Sequence, residues 1–562
     1  MALQKLHYVY GLDTSCFYTD KEKELEDTII RARYLLKTLS EWEGKQKITS
    51  LIPPSLTYRK RKNVTHSCCY RLDHSERKRL LRQIITNSKE KLKYLLSANL
   101  DIERTIRPET LTLKRQVAIF DSNLTRCCNL KERRLNEEIV IVQVYFFDVV
   151  KNIIHHGFIM NGKRYRFFSA SAGQIRTKKF VAVREDLLEE NWNTLTAGLT
   201  IDKINQAGGL NVNKYLAYLA LCNSATDLWC GFDIDRCVVV EDFENQVSAT
   251  VDFIDDKTYE ITRQNMDVPI TQTDGCGMIL PELSQKNFMV RLPWIKGLLG
   301  VFDFRKFIRD TNASPEITDI YGVKHDILAE NIQIIFTKSQ FKTWKYFKNW
   351  DEYKKNFKQY GCTAGKCNVE ESYIPNAKIN YQMMQTLHDI TDDEIMSLAN
   401  RSVGDIKEMC SDPMVMLKVF GATDERLYKN GFQKSLNIYP ELLSDAYTRA
   451  TLKDVKESLE RDLWSSKFKL ECKYTFVIPD LYAFCENLFL HIENPCGLLE
   501  SSQVSCRLYG DEQELDCLRS PHLYLEHAIR TNTTRGKMQE WFKTDAIYAS
   551  CHDTISKILQ FD

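Results

Sequence analysis

The chain has 562 residues, 27% of them charged and 43% hydrophobic, which is ordinary globular composition with length for roughly three or four domains. A formal net charge of +1 offers no bulk attraction to a polyanion, so any nucleic-acid partner requires cations gathered locally. The absence of an apolar run of about 18 residues excludes a membrane-spanning helix, and no apolar leader occupies Met1 to Leu12, so the 18 cysteines read as reduced, cytoplasmic thiols.

From Lys21 to about Leu100 the pattern is helical and charged, broken at Pro53-Pro54 and followed by Arg59-Lys60-Arg61-Lys62. That basic run is either a nucleic-acid contact or a solvated loop. Within Glu76 to Leu100, Arg77, Lys78, Arg79 and Arg82 face away from leucines, as in an amphipathic packing helix. Ile139 to Val150 and Lys163 to Val183 are dense in β-branched and aromatic residues, which predicts strands. The small-residue loop Phe168-Ser169-Ala170-Ser171-Ala172-Gly173-Gln174-Ile175-Arg176 offers hydroxyls, an amide and a guanidinium suited to phosphate and sugar oxygens, or simply connects two strands. A helix over Asn211 to Asn223 follows a double glycine. Beyond it, Asp233 and Asp235 are two residues apart; on a strand they share a face and would hold a divalent ion, the feature of a metal-dependent glycosyltransferase.

Thr271 to Asp303 is the stretch around which the rest is read. Asp274-Gly275-Cys276-Gly277 has tight-turn chemistry, because glycine reaches positive φ without a Cβ clash. Phe288, Val290 and Leu292 alternate with Met289 and Arg291 in the period of a half-buried strand. A second turn from Pro293 to Gly297 leads into Leu298 to Phe302, and Lys296 stands just before that strand, a place for a point charge to meet phosphate.

After Asp303 the pattern becomes helical. Phe341, Trp344, Phe347, Trp350, Tyr353, Phe357 and Tyr360 recur every three or four residues among lysines, either as a core face bordered by cations or as a stacking surface for single strands. Gly361-Cys362-Thr363-Ala364-Gly365-Lys366 is not a phosphate-binding P-loop. Its glycines are separated by three residues, and Cys367 stands where Ser or Thr must ligate magnesium. Tyr381 to Lys469 reads as amphipathic helices, one starting at Thr391-Asp392-Asp393-Glu394, with a break near Pro440. Strand character returns at Glu471. Cys506, Cys517, His522 and His527 are separated by ten, four and four residues, which fits no common zinc finger.

Several of these segments resemble one family. Asp274-Gly275-x-Gly277, an apolar strand, and then Arg291…Lys296-Gly297 look like the first catalytic barrel of the two-barrel RNA polymerases, which include the RNA-silencing RNA-dependent RNA polymerases and single-chain phage relatives. Leu292-Pro293-Trp294 departs from the family's spacer. The Phe168 to Arg176 loop resembles the family's segment upstream of that barrel, and Thr337 to Lys342 resembles the one that supplies a second lysine. Leu518-Arg519-Ser520-Pro521-His522-Leu523 resembles a segment of the second barrel. The implied fold is α+β. It has a mainly helical region (1–137), a strand-rich module (138–227), a first double-psi β-barrel (228–336), a helical insert (337–470) and an incomplete second double-psi barrel (471–562).

The resemblance implies a template-dependent RNA polymerase acting on ribonucleoside triphosphates, with a nucleic-acid template, an RNA product and no membrane. Lys296 and Lys342 would stabilise charge on the transferring phosphate, and Arg291 would position backbone or nucleotide. Gln174, Arg176, Arg519, Asp274 and Gly275 would contact nucleotide or nucleic acid. The family's Asp-x-Asp-Gly-Asp loop, which holds Mg²⁺, is found nowhere in the chain; Asp562 would be the first aspartate of that triad. The expectation is therefore a fragment, inactive alone, whose activity either a second chain carrying the loop or a reading frame continuing past Asp562 would restore. The alternatives are a non-catalytic nucleic-acid-binding remnant and the Asp233/Asp235 glycosyltransferase.

Overall fold

The structure, a computed structural model, describes residues 5–41, 74–379, 381–424, 429–519 and 527–559. The basic run Arg59 to Lys62, His522 and Asp562 lie outside them. The chain divides into two compact units: Lys5–Leu195 with Leu210–Asn223, and Thr196–Gly209 with Ser224–Asp562. Among the described residues no helix is long and apolar enough to cross a membrane.

The amino-terminal unit is built on strands β1 (Leu6–Asp13), β2 (Arg104–Thr105), β3 (Gln116–Phe120), β4 (Leu135–Gln143), β5 (Phe158–Met160), β6 (Lys163–Ser169) and β7 (Lys179–Arg184). They form one sheet in the order β2-β5-β6-β7-β4-β1-β3. Because β1 pairs in parallel with β4, the boundary expected at 137/138 falls inside a sheet rather than between domains. Helices Asp20–Glu41 and His74–Ala98 match the helical pattern and bury Ile29, Leu92 and Leu96 against Leu12, Val140 and Val142 of the sheet. Between them and β2, Arg104 and Glu22 form an ion pair at 2.9 Å with both side chains fully buried. The run from Ile139 to Val150 is not one strand. It leaves the sheet after Gln143 and becomes the helix Phe147–His156, which buries Val149, Val150 and Ile153 on one face and stops at Gly157 with φ +69°.

The carboxy-terminal unit continues with β8 (Asp227–Leu228), β9 (Cys237–Val240), β10 (Glu244–Ile254), β11 (Ile261–Thr271), β12 (Cys276–Ile279), β13 (Phe288–Leu292), β14 (Ile295–Val301), β15 (Glu316–Thr318), β16 (Lys324–Asp326), β17 (Ile334–Thr337) and β18 (Gly365–Cys367). Seven of these form a mixed sheet, β8-β18-β13-β14-β12-β17-β9, over the residues expected to make the first barrel. The helical run expected after Asp303 is limited to Phe304–Thr311 before β15, β16 and β17 intervene. It resumes at Trp350–Gln359, and then β18 returns the chain to the sheet, so the insert expected from 337 starts only beyond Cys367. Gly365-Lys366-Cys367 is thus an inner strand of a sheet. The aromatic stripe is a core face: Phe341, Trp350, Tyr353 and Phe357 are buried, and the rings of Trp350 and Tyr353 stack at 5.0 Å.

Helices Asp392–Glu408, Pro413–Phe420, Gly431–Ile438 and Ala446–Trp464 follow, the first opened by a Thr391/Glu394 capping box. β19 (Asn376–Lys378) and β20 (Lys469–Lys473) pair at their base. The last sheet contains β21 (Val477–Pro479), β22 (Gln503–Cys506), β23 (Glu514–Cys517), β24 (Ala528–Asn532) and β25 (Ile547–Ala549), in the order β21-β25-β22-β24-β23. It shares one core with the seven-stranded sheet, in which Met278, Leu298 and Phe302 meet Ile478, Leu481, Trp541 and Tyr548.

Candidate functional site

The site is organised on the hairpin of β13 and β14, in which Arg291 and Lys296 are direct cross-strand partners. Side chains opposite one another on antiparallel strands share a face, so the two cations sequence reasoning singled out stand side by side. The turn between them is held from three directions. Trp294, buried at φ +65°, donates its indole N–H to the Thr196 carbonyl at 2.6 Å. The Tyr353 hydroxyl donates to the Pro293 carbonyl at 2.7 Å. The Lys342 backbone N–H donates to the Trp294 carbonyl at 3.0 Å. The Lys342 backbone is thereby laid against the Arg291/Lys296 hairpin.

Gln340 makes the join. Fully buried, it accepts from the Thr337 N–H at 3.0 Å and donates to the carbonyls of Leu298 at 2.9 Å and Gly275 at 3.3 Å. A Cβ on Gly297 would lie 2.2 Å from Gln340 Nε2, and one on Gly277 2.3 Å from the Ile335 carbonyl oxygen, so both glycines are required by close approach. Ser339 completes the seam. Its Oγ accepts from the Gly275 N–H at 2.7 Å and donates to Asp242 at 2.6 Å, while its N–H donates to the other Asp242 oxygen at 2.7 Å. Burial pushes the Asp242 carboxyl above its ordinary value, against the pull of these bonds. Sequence reasoning missed Asp242, Ser339 and Gln340; the Thr337-x-x-Gln340 capping box was the available signal.

Beside this seam opens a cleft of about 450 Å³ lined by Asp242, Asp274, Lys338, Ser339, Lys342 and Trp344, among others. Asp274 and Lys342 therefore share one cleft, and Gly275 is fixed to its wall. Lys338 is neutralised by Glu241 at 3.0 Å and lies over the Trp344 ring at 4.6 Å. Among the described residues the Lys342 ammonium has no ion-pair partner. Arg291 donates from Nη1 to the Val290 carbonyl at 2.8 Å, and its buried Nε has no hydrogen-bond partner among the described residues. On the neighbouring β18, Lys366 lies over Trp229 at 4.1 Å and Phe288 at 4.4 Å, and burial lowers its pKa from the usual 10.5.

Other expected site residues have structural partners. Gln174 closes a capping box with Ser171 at the start of the short helix Ala172–Arg176, and Arg176 is exposed beside it; both belong to the amino-terminal unit. Arg519 donates to the Leu559 carbonyl and so anchors the helix Ile555–Leu559. Asp233 and Asp235 are not on a strand. Asp233 caps the one-turn helix Ile234–Arg236, and Asp235 pairs with Lys358 at 2.8 Å, which corrects the metal-binding reading on which the glycosyltransferase alternative rested. In the zinc set, burial pushes the Cys506 and Cys517 thiols up to about 11 and about 12, and His527 bonds Asp516 at 2.7 Å and Thr386 at 2.8 Å. Among the described residues no group of three His, Cys, Asp or Glu side chains is placed to hold a metal ion.

A cationic hairpin locked to a glycine turn, at the edge of an open cleft in a mixed sheet, is the setting of a phosphate-handling protein. A family model described as RNA dependent RNA polymerase matches residues 112–508, which include Asp274, Arg291, Lys296 and Lys342, and the chain belongs to this family. The DNA-directed RNA polymerase YonO of Bacillus phage SPbeta is 45% identical over 563 residues, covering all of this chain and 63% of that protein; the chain thus spans less than two thirds of that relative's length. The solved RNA dependent RNA polymerase QDE-1 from Thielavia terrestris is similar at 14% identity with a TM-score of 0.46, over 77% of this chain and 48% of that one.

Proposed function

We propose that the chain is the core of a template-dependent RNA polymerase, a nucleotidyltransferase that forms phosphodiester bonds from ribonucleoside triphosphates. The observation that carries this is the pairing of Arg291 with Lys296 across one hairpin, with the Lys342 backbone bonded to its turn, all within the segment the family model matches. Phosphoryl transfer spreads negative charge over oxygens that fixed cations stabilise without reorganising. In this reading Lys296 and Lys342 carry that role, Arg291 orients the phosphate, and Asp274 and Gly275 border the nucleotide. Gln174, Arg176 and Arg519 are proposed contacts to nucleic acid, Arg519 with part of its guanidinium already committed. The two barrels of the family remain part of the proposal, as does a cytoplasmic setting. DNA is the first template to test, because the phage relative is named a DNA-directed enzyme.

Divalent metal dependence goes with the family, and magnesium is the proposed ion. Among the described residues no group of three His, Cys, Asp or Glu side chains is placed to hold it, and the proposed ligand Asp562 lies outside the described residues. The chain contains no Asp-x-Asp-Gly-Asp, and the proposal therefore includes a polypeptide supplying that loop. Radiolabelled ribonucleotide incorporation on single-stranded DNA is expected to be absent with the 562-residue chain alone and present when such a polypeptide is added. Lys296→Ala and Lys342→Ala are each expected to reduce it about 100-fold or more. Undiminished incorporation by the double variant would falsify the assignment. Salt-dependent binding of single strands that survives Lys296→Ala, with no response to nucleotides, would favour the non-catalytic remnant.

A further inference from the structure

At one end of the amino-terminal unit's sheet the chain presents aromatic rings and exposed cations together. β1 and β4 end there, and β7 starts there, because β7 runs antiparallel to β4 with Lys179 opposite Gln143. The Val144 N–H donates to the Lys178 carbonyl at 2.8 Å and Gln143 Nε2 to the Thr177 and Lys178 carbonyls at 3.1 Å, so Tyr145 emerges directly beside Lys178. Tyr145 and Phe147 are 68% and 64% exposed. The residue between them, Phe146, has extended backbone angles and turns its ring toward Tyr18 at 5.6 Å. Side chains two apart on extended backbone point the same way, about 6.6–6.8 Å apart, which is about twice the ~3.4 Å rise between stacked bases. The two exposed side chains therefore leave the backbone on the same side, Phe147 as the first residue of its helix.

Cations predominate around the rings: Asp13 at the end of β1 is already paired with Arg115 at 2.6 Å, and Asp148 follows Phe147 in the first turn of its helix. Lys178, Lys179 and Arg176 are exposed, and among the described residues none has a carboxylate partner. Lys151 lies over the Phe147 ring at 5.3 Å. In a chain whose net charge is only +1, this is the local gathering of cations that a polyanion requires.

We propose that this rim binds single-stranded nucleic acid, with Tyr145 and Phe147 stacking on bases while Lys178 and Lys179 contact the backbone. Every base has a π-face, so such a platform takes single strands of any sequence and rejects a duplex, whose bases are already stacked. The proposal shares Arg176 with the polymerisation reading but does not rest on it, since it concerns the amino-terminal unit alone and needs neither nucleotide nor metal.

The test is fluorescence anisotropy of a labelled oligo(dT) of about 20 nucleotides, longer than one binding site, with the full chain across a salt series. Tyr145→Ala with Phe147→Ala is expected to weaken binding about tenfold or more while leaving the salt slope unchanged. Lys178→Ala with Lys179→Ala is expected to reduce that slope by about 1.4. Tyr145→Trp retains a stacking ring, so its affinity should stay near native and its added fluorescence should be quenched by the oligonucleotide. That arm reads contact even if the alanine pair misfolds. Three results would overturn the proposal: near-native affinity of the alanine pair, an unquenched indole signal in the Tyr145→Trp variant, or equal competition by polyglutamate or duplex DNA.

Discussion

Gln340 shows how much a single buried amide can decide. Its carboxamide spans the Gly275 turn, the Leu298 carbonyl and its own helical turn, and the space it needs is provided by Gly277 and Gly297. A methyl group on Gly297 would also approach the Gly275 carbonyl oxygen to 2.5 Å, so movement of Gln340 alone cannot relieve it. We expect Gly297→Ala to destabilise the chain by about 1–3 kcal/mol, read as a lower urea midpoint at unchanged m-value. Lys366 gives a prediction of a different kind. Burial holds its pKa below 10.5 in the folded chain, so between the folded and unfolded values the unfolded chain binds more protons. Stability conferred at this position therefore rises with pH through that window, towards 10.5. Urea titrations from about pH 8 to 10.5 should show a steeper rise for the native chain than for Lys366→Met; parallel curves would sink the argument.

Among the elements, the hairpin of β10 and β11 extends well beyond the core, burying only Val247 and Ile270 near its base. It forms a two-stranded sheet of its own, and most of its residues from Ala249 to Met266 are exposed or half-buried, including Tyr259 and Ile261 at its far end. Replacing 249–266 by Asn-Gly, which suits a two-residue hairpin turn, should shift the melting temperature by less than about 2 °C. A loss well beyond that would mean the hairpin supports the sheet.

The β13 and β14 hairpin was legible from sequence because its alternation is local, and so was the closeness of Arg291 and Lys296. β18 was not, since three residues, Gly365-Lys366-Cys367, carry no period and owe their strand state to Met289, Val290 and Arg291 opposite. Asp233 and Asp235 misled for a related reason. An aspartate that accepts a hydrogen bond from the N–H two residues on stabilises a turn, and that local bond outweighed the strand pattern. Likewise nothing near Leu6 announces that its strand will lie beside Leu135.

For the molecule as a whole, thiol reactivity reports which surfaces face solvent. Cys230, Cys410 and Cys496 are exposed, whereas Cys237, Cys276 and Cys485 are buried and burial raises each of their pKa values. Brief treatment of the native chain with iodoacetamide, followed by peptide mass spectrometry, should find the first three modified and the second three intact. Modification of Cys276 at the rate of Cys230 would place the glycine turn at the surface.

The shared core of the two sheets also fixes an order of events during synthesis. Asn287, fully buried beside β13, donates to Thr544 at 2.7 Å across 257 residues, and to Glu370 at 2.6 Å. At about 5–20 residues per second a ribosome needs roughly 13–50 s to deliver Thr544 after Asn287. Throughout that interval the cationic hairpin is already made, but its sheet presents Met278, Leu298 and Phe302 without the residues that will cover them. The nascent chain must therefore keep an unfinished apolar face from meeting its neighbours on the same message, and chaperone occupancy should peak in that interval.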